Sequence, residues 1–120
     1  MTQRMTLLAV AFALVATGAQ AHAHLQRSVP AAGSALKASP AQISLGFDDE
    51  LDDWKSSIAL LDAQGHAVAI GRTRLVGSPP YGLAAPVPVR LRPGTYRVKW
   101  QASTEDGHAS HGAFDFSIRP

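Results

Sequence analysis

The fold class is indicated most clearly by the stretch Pro93-Gly94-Thr95-Tyr96-Arg97-Val98-Lys99-Trp100-Gln101. After the proline–glycine turn, apolar and polar residues alternate from Tyr96 to Gln101. A period of two sends successive side chains to opposite faces of a strand, so that one face is buried and the other meets water. The stretch therefore predicts a half-buried β-strand.

Similar short apolar segments recur along the chain, at residues 43–47, 58–61, 68–70, 87–91 and 114–118. Proline and glycine separate these segments too often for long helices. Many short strands with regular turns predict an all-β sandwich or barrel. Pro86 and Pro88 place the 87–91 strand at a sheet edge, because proline cannot donate a ladder hydrogen bond.

The aromatic residues of the last two predicted strands share one face, which predicts that they pack in the core: Tyr96, Trp100, Phe114 and Phe116. Trp54 is predicted to lie in a polar loop, and His66, which follows a turn glycine, in an exposed loop.

The first 21 residues have the pattern of a secretory signal peptide. Arg4 precedes an uncharged apolar run from Leu7 to Ala16, and an Ala-x-Ala site ends at Ala21. The run is shorter than the roughly 20 residues that span a bilayer. The alternative is a short membrane anchor or a buried helix. The prediction is a signal peptide at 1–21 and one domain at 22–120, which does not span a membrane after cleavage.

The composition of residues 22–120 excludes several classes of function. With Arg4 removed, ten basic residues face nine acidic ones, and no basic patch with interleaved aromatics indicates nucleic-acid binding. The chain has no cysteine, and its two methionines are Met1 and Met5. Cu(I) prefers thiolate and thioether ligands, so residues 22–120 offer no sulfur site of that kind.

Histidines gather at the two ends of the predicted domain. His22 and His24 open it, and His108 and His111 lie near its end. The first and last strands of an antiparallel sandwich are often neighbours, so these ends are predicted to meet.

His22 would supply two nitrogen donors if cleavage follows Ala21. Its free amine and its Nδ1 close a six-membered chelate ring, and the amine pKa of about 7.7–8.0 allows a metal to displace its proton near neutrality. Such a nitrogen pair suits a tetragonal Cu(II) centre. Cleavage after Ala23 would instead make His24 the first residue.

The motif Asp106-Gly107-His108 can add a carboxylate oxygen and an imidazole. If it lies on a strand, residues i and i+2 point to the same face. Together with His22 this makes three nitrogens and one oxygen. A motif of this kind is also common as a purely structural feature, so spacing alone leaves both interpretations open.

Taken together, the two ends of the chain resemble the CopC family of periplasmic copper-resistance proteins. The resemblance covers essentially all of residues 22–120. Its motifs are the mature start 22–31, the second-strand segment Leu45-Gly46-Phe47 with the acids after it, the segment 93–100, and the segment 103–116.

The resemblance implies a Greek-key β-barrel of about seven strands with cupredoxin-like or immunoglobulin-like topology and no enzymatic activity. It implies one Cu(II) per chain, bound by His22, Asp106 and His108. It also implies a monomer in the periplasm, acting in copper tolerance, buffering or delivery to an inner-membrane copper transporter of the CopD type.

Two further residues are candidates at this site. Some family members place an acid beside the metal at the position of Asp49; the alternative is that the acidic run 48–53 is a solvated loop. His111, where the family has no ligand, is either an exposed strand residue or an outer partner of the metal site. The methionine-rich loop of the Cu(I)-binding members has no counterpart here, since residues 71–88 contain no methionine.

His22-Ala23-His24 also offers a competing Cu(II) or Ni(II) site. The amine, two deprotonated amides and the His24 imidazole can wrap the metal. This tripeptide mode and the His22/Asp106/His108 site need the same amine, so they exclude each other.

Two other classes of function remain in view. Copper monooxygenases with a histidine brace also use an N-terminal histidine, but typically with a second histidine and a flat aromatic surface on a larger domain. An immunoglobulin-like interaction module would bind no metal.

Overall fold

The computed structural model describes residues 23–120, which form two β-sheets. In chain order the strands are β1 (Leu25–Val29), β2 (Ala35–Leu36), β3 (Gln42–Phe47), β4 (Asp52–Leu61), β5 (Ala67–Val68), β6 (Arg74–Val76), β7 (Gly82–Pro86), β8 (Gly94–Ser103) and β9 (Ala109–Ile118). The predicted all-β class is confirmed. Two of these strands, β2 and β5, have only two residues each.

The strands divide between a four-stranded sheet in the order β1-β3-β7-β6 and a five-stranded sheet in the order β2-β9-β8-β4-β5. Hydrogen-bonded neighbours such as β3 and β7, or β4 and β8, are far apart in sequence, so the chain crosses between sheets as it does in a sandwich. The hairpin of β8 and β9 is paired without a shift from Gly94↔Ile118 to Ser103↔Ala109. Its loop presents the candidate metal-binding motif.

The core lies between the two sheets and is built from the inward-facing residues of the longer strands. The four-stranded sheet contributes Ile43, Leu45, Phe47, Leu83 and Ala85, and the five-stranded sheet contributes Ile58, Leu60, Tyr96, Val98, Phe116 and Ile118. The predicted aromatic cluster belongs to this core: Tyr96 and Phe116 are buried and stacked at 5.7 Å between ring centroids. Trp100 and Phe114 are partly buried against it.

Two local predictions are wrong. Residues 87–91 form no strand. The strand of this region is β7, which ends at Pro86 and lies inside its sheet between β3 and β6. Val87 and Leu91 lie in the loop that follows β7, and their side chains are buried, so their apolar spacing reflects the packing of this loop. Trp54 belongs to β4 and not to a loop; its side chain is exposed, and Lys55 Nζ lies 4.3 Å from its ring centroid.

Residues 23–120 contain no candidate for a membrane-spanning helix.

Candidate metal centre

The Asp106-Gly107-His108 motif lies in the loop that joins β8 to β9, so the argument from strand alternation does not apply to it. Gly107 has a φ of +85°, a conformation that glycine adopts without steric cost. The amide of Gly107 donates to the Thr104 carbonyl and the amide of Thr104 to the His108 carbonyl, both at 3.0 Å. The loop is therefore a tight, hydrogen-bonded turn.

The turn brings the Asp106 and His108 side chains together. Asp106 Oδ1 accepts a hydrogen bond from the His108 amide at 3.1 Å, and its Oδ2 lies 3.0 Å from His108 Nδ1. An aspartate that binds the backbone two residues onward is typical of an Asx turn. The predicted pairing is thus present, but side-chain capping of the turn produces it in place of strand alternation.

Hydrogen bonding keeps the Asp106 carboxylate charged. The Thr104 hydroxyl donates to Asp106 Oδ1 and is the main cause that lowers the pKa of Asp106 far below its usual range. The ring and the amide of His108 lower this pKa further. At neutral pH the exposed loop therefore presents an anionic oxygen next to an imidazole, which are two donors that a divalent transition metal accepts.

The start of the described chain lies against β9. Ala23 is 2% exposed, and the Ser110 hydroxyl donates to its carbonyl oxygen at 2.6 Å. The first and last strands are not neighbours within one sheet, because β1 and β9 belong to different sheets. The two ends still meet, because Ala23 packs beside β9 before β1 begins. His22, the central predicted ligand, lies outside the described residues.

His24 is held by the acidic run rather than by the β8–β9 loop. Its amide donates to Asp48 Oδ1 at 2.6 Å, and its Nδ1 lies 2.9 Å from Asp48 Oδ2. The Asp48 amide donates in return to the His24 carbonyl at 3.1 Å. The His24 amide, followed by the His24 ring, lowers the pKa of Asp48.

Asp49 lies close to the β8–β9 loop. It lines a shallow cleft together with Glu50, Thr104, Glu105 and Asp106, and its Oδ1 accepts a hydrogen bond from the Glu50 amide. Within the acidic run, Asp49 therefore lies beside the candidate motif, and Asp48 holds the first described residues.

His111 lies on β9 opposite Gln101, and its side chain is exposed. Among residues 23–120, no three histidine, aspartate or glutamate side chains gather into a metal-binding group. Among the described residues, Asp106 and His108 are thus a pair of adjacent candidate donors.

Three residues of this region were not predicted: Thr104, Ser110 and Asp48. The sequence Thr-x-Asp before a glycine is a local signal that could have indicated Thr104, because Asx turns recur at such sites. The contacts of Ser110 and Asp48 join segments that are 87 and 24 residues apart. No local pattern predicts them.

The sequence is similar to that of a known protein family and of its members. The family model described as the CopC domain matches residues 25–119. Copper resistance protein C of Pseudomonas syringae pv. tomato is 32% identical over 98% of this chain and 96% of its own length.

Two solved structures show the same fold. CopC from Methylosinus trichosporium OB3b superposes with a TM-score of 0.76 at 30% identity, over 82% of this chain and 95% of that chain. PcoC from Escherichia coli, a methionine-rich copper resistance protein, superposes with a TM-score of 0.71 at 33% identity, over 82% of this chain and all of that chain.

Proposed function

The chain belongs to the CopC domain family, and from this premise we propose that it is a periplasmic protein that binds one Cu(II) ion. It acts as a carrier or buffer in copper tolerance, or in delivery to an inner-membrane transporter of the CopD type, as a monomer and without enzymatic activity. Relatives that are named copper resistance proteins support a copper-related function.

The observation that carries the proposal is the pair formed by Asp106 and His108. An ionised carboxylate and an imidazole lie within 3.0 Å of each other on an exposed turn. They supply one oxygen and one nitrogen donor, which fits a Cu(II) site better than a Cu(I) site.

The position of Ala23 supports His22 as the remaining ligand. Ala23 follows His22 in the chain, and its carbonyl is bonded to Ser110, two residues after His108. Cleavage after Ala21 would give His22 a free amine next to its ring. In the proposed site, the amine and the ring of His22 join Asp106 and His108.

The donors that residues 22–120 offer support Cu(II) as the oxidation state. They contain neither cysteine nor methionine, whereas PcoC from Escherichia coli is described as methionine rich. Since soft sulfur ligands select Cu(I), their absence from the domain supports a Cu(II) site.

The test is a Cu(II) competition assay on the protein that begins at His22. We expect Asp106→Ala and His108→Ala each to weaken binding by at least about tenfold, which corresponds to about 1.4 kcal/mol. His24→Ala should bind like the wild type. His66→Ala is the matched control, because His66 is also an exposed histidine beside an aspartate. Tight binding that survives the first two changes and collapses with His24→Ala would contradict the folded site.

Two further measurements test the remaining parts of the proposal. The mass of the exported protein, with and without Cu(II), fixes both the cleavage site and the stoichiometry. Incubation of the copper form with ascorbate and cellulose or chitin tests the enzyme alternative. Oxidised oligosaccharides would contradict a pure binding function.

A further inference from the structure

Asp48 and His24 form a second aspartate–histidine pair, which the proposed copper site does not use. The pair is tied by the three hydrogen-bond contacts given above, two from His24 to the carboxylate and one from the Asp48 amide. Both side chains are accessible, at 68% for His24 and 39% for Asp48. Burial therefore does not account for this contact.

The Asp48 carboxylate contacts the same two atoms of His24 that would bind the metal in the tripeptide mode. In that mode the metal replaces the proton on the His24 amide nitrogen and binds Nδ1, which closes a six-membered ring. In the structure, the same amide donates to Asp48 Oδ1 and the same Nδ1 contacts Asp48 Oδ2. A hydrogen bond from an amide to a carboxylate stabilises the protonated amide, because the bond is assisted by charge.

The carboxylate also opposes the product of deprotonation. An amide nitrogen that has lost its proton carries negative charge, and Asp48 Oδ1 lies 2.6 Å from that nitrogen. Like charges at this distance repel strongly. Both effects act against wrapping the metal with the first three residues.

We propose that Asp48 is a positioning residue that selects the binding mode: it occupies the His24 amide and ring, and so reserves the chain's terminal amine for the Asp106/His108 site. The inference rests on the proposed function, because it takes His22 as the first residue. Asp48 touches no metal in this scheme and acts only through His24.

The chain offers a matched control at Asp62. Asp62 Oδ1 accepts a hydrogen bond from the His66 amide at 2.9 Å, and Asp62 Oδ2 lies 3.6 Å from His66 Nδ1. The contact has the same chemistry as that of Asp48 and His24, but it lies in the turn between β4 and β5. Asp62→Ala should therefore leave metal binding unchanged.

The experiment compares wild type, Asp48→Ala and Asp62→Ala, all beginning at His22. With Cu(II), Asp48→Ala should move the visible absorption band to shorter wavelength, as expected when four nitrogens surround the ion. With Ni(II), its affinity should rise by about tenfold, or about 1.4 kcal/mol. Adding His24→Ala to Asp48→Ala should reverse both changes. A melting curve checks the fold, and Asp48→Asn, which keeps the shape and removes the charge, provides a second variant.

The outcomes separate this inference from the proposed function. Unchanged Cu(II) spectra and Ni(II) affinity in both Asp48 variants would overturn the inference and leave the copper site standing. A wild-type protein that already shows the four-nitrogen spectrum would contradict both proposals. The tripeptide mode does not involve Asp106 or His108, so the Ni(II) comparison tests Asp48 even if Cu(II) binding at the folded site fails.

Discussion

Ser110 on β9 donates a hydrogen bond from its Oγ to the carbonyl oxygen of Ala23, at 2.6 Å and across 87 residues of sequence. Ala23 is 2% exposed, so water has little access to that carbonyl. The bond ties the start of the described chain to the strand that follows His108. This hydroxyl and the Asp48–His24 contacts together place the first described residues.

Replacing Ser110 by alanine should weaken both folding and copper binding. A buried carbonyl that loses its donor costs about 1–3 kcal/mol. For a domain of this size, each kcal/mol lowers the melting temperature by about 4–8 °C. A thermal melt followed by circular dichroism and a Cu(II) competition assay measure the two effects.

Ser34→Ala is the control for this change. The Ser34 hydroxyl also donates to a carbonyl oxygen at 2.6 Å, but its partner is Ala31 in the same turn. It should leave Cu(II) affinity unchanged. Equal loss of affinity in both variants would show that the tie between Ala23 and Ser110 has no special role at the site.

Much of the fold could be predicted from the sequence because its strands obey a period of two. The alternation from Tyr96 to Gln101 predicted β8, and that around Phe114 and Phe116 predicted β9. The strand prediction for residues 87–91 was wrong, because the spacing of their apolar side chains arises from a loop that packs on the core. A periodic pattern reports which side chains are buried and does not by itself report backbone pairing.

The adjacency of Asp106 and His108 could be predicted from the sequence, but the geometry that produces it could not. The argument from strand alternation does not apply, because the two residues lie in a turn. The hydrogen bonds between Asp48 and His24 were not predicted, because they depend on how the acidic run folds back onto the first described residues. Tertiary contacts of this kind have no local sequence signal.

Gly112→Ala should destabilise the protein although its backbone permits alanine. Gly112 lies opposite Trp100 in the β8–β9 register, and an added Cβ would lie 2.6 Å from Trp100 Cζ2. The φ of Gly112 is not positive, so alanine would otherwise stabilise by about 0.4–1 kcal/mol. Overpacking costs about 1–3 kcal/mol and should outweigh that gain, so the variant should be less stable than wild type. Urea denaturation measures the loss.

A double-mutant cycle identifies the cause of that loss. Trp100 also packs edge-to-face on Phe47, with 5.1 Å between ring centroids, so the ring cannot easily move inward. In a Trp100→Leu background, Gly112→Ala should cost less, with a coupling of about 0.5–3 kcal/mol. An unchanged cost would show that the ring is not the obstacle.

Arg97→Met should remove a stabilisation that depends on pH. Arg97 Nε and Nη2 lie 2.8 and 3.3 Å from the two carboxylate oxygens of Asp115, its partner in the register. These hydrogen bonds, followed by the charge of Arg97, lower the pKa of Asp115. A lowered aspartate pKa stabilises the fold above its unfolded value of about 3.9, and this contribution disappears as the pH falls through the folded value.

The variant should therefore be less stable than wild type at neutral pH, and the gap should close as the pH falls below about 3.9. Urea unfolding at several pH values measures the gap, and NMR should show the Asp115 pKa moving up toward its usual range. Arg90→Met, at an exposed arginine outside the strands, is the control. A gap that persists at low pH would mean that lost packing of the Arg97 stem causes the effect.

Cu(II) should raise the melting temperature of the protein that begins at His22, and Asp106 and His108 should be required for that shift. Free Cu(II) at 100 times its Kd adds about 2.7 kcal/mol to the free energy of unfolding. At about 4–8 °C for each kcal/mol, the shift should be about 10 °C or more. A chelator should reverse it. The Asp106→Ala/His108→Ala double variant should lose most of the shift, while His66→Ala should keep it. A shift of equal size in all three proteins would point to binding elsewhere on the surface, and no shift in wild type would favour the metal-free interaction module.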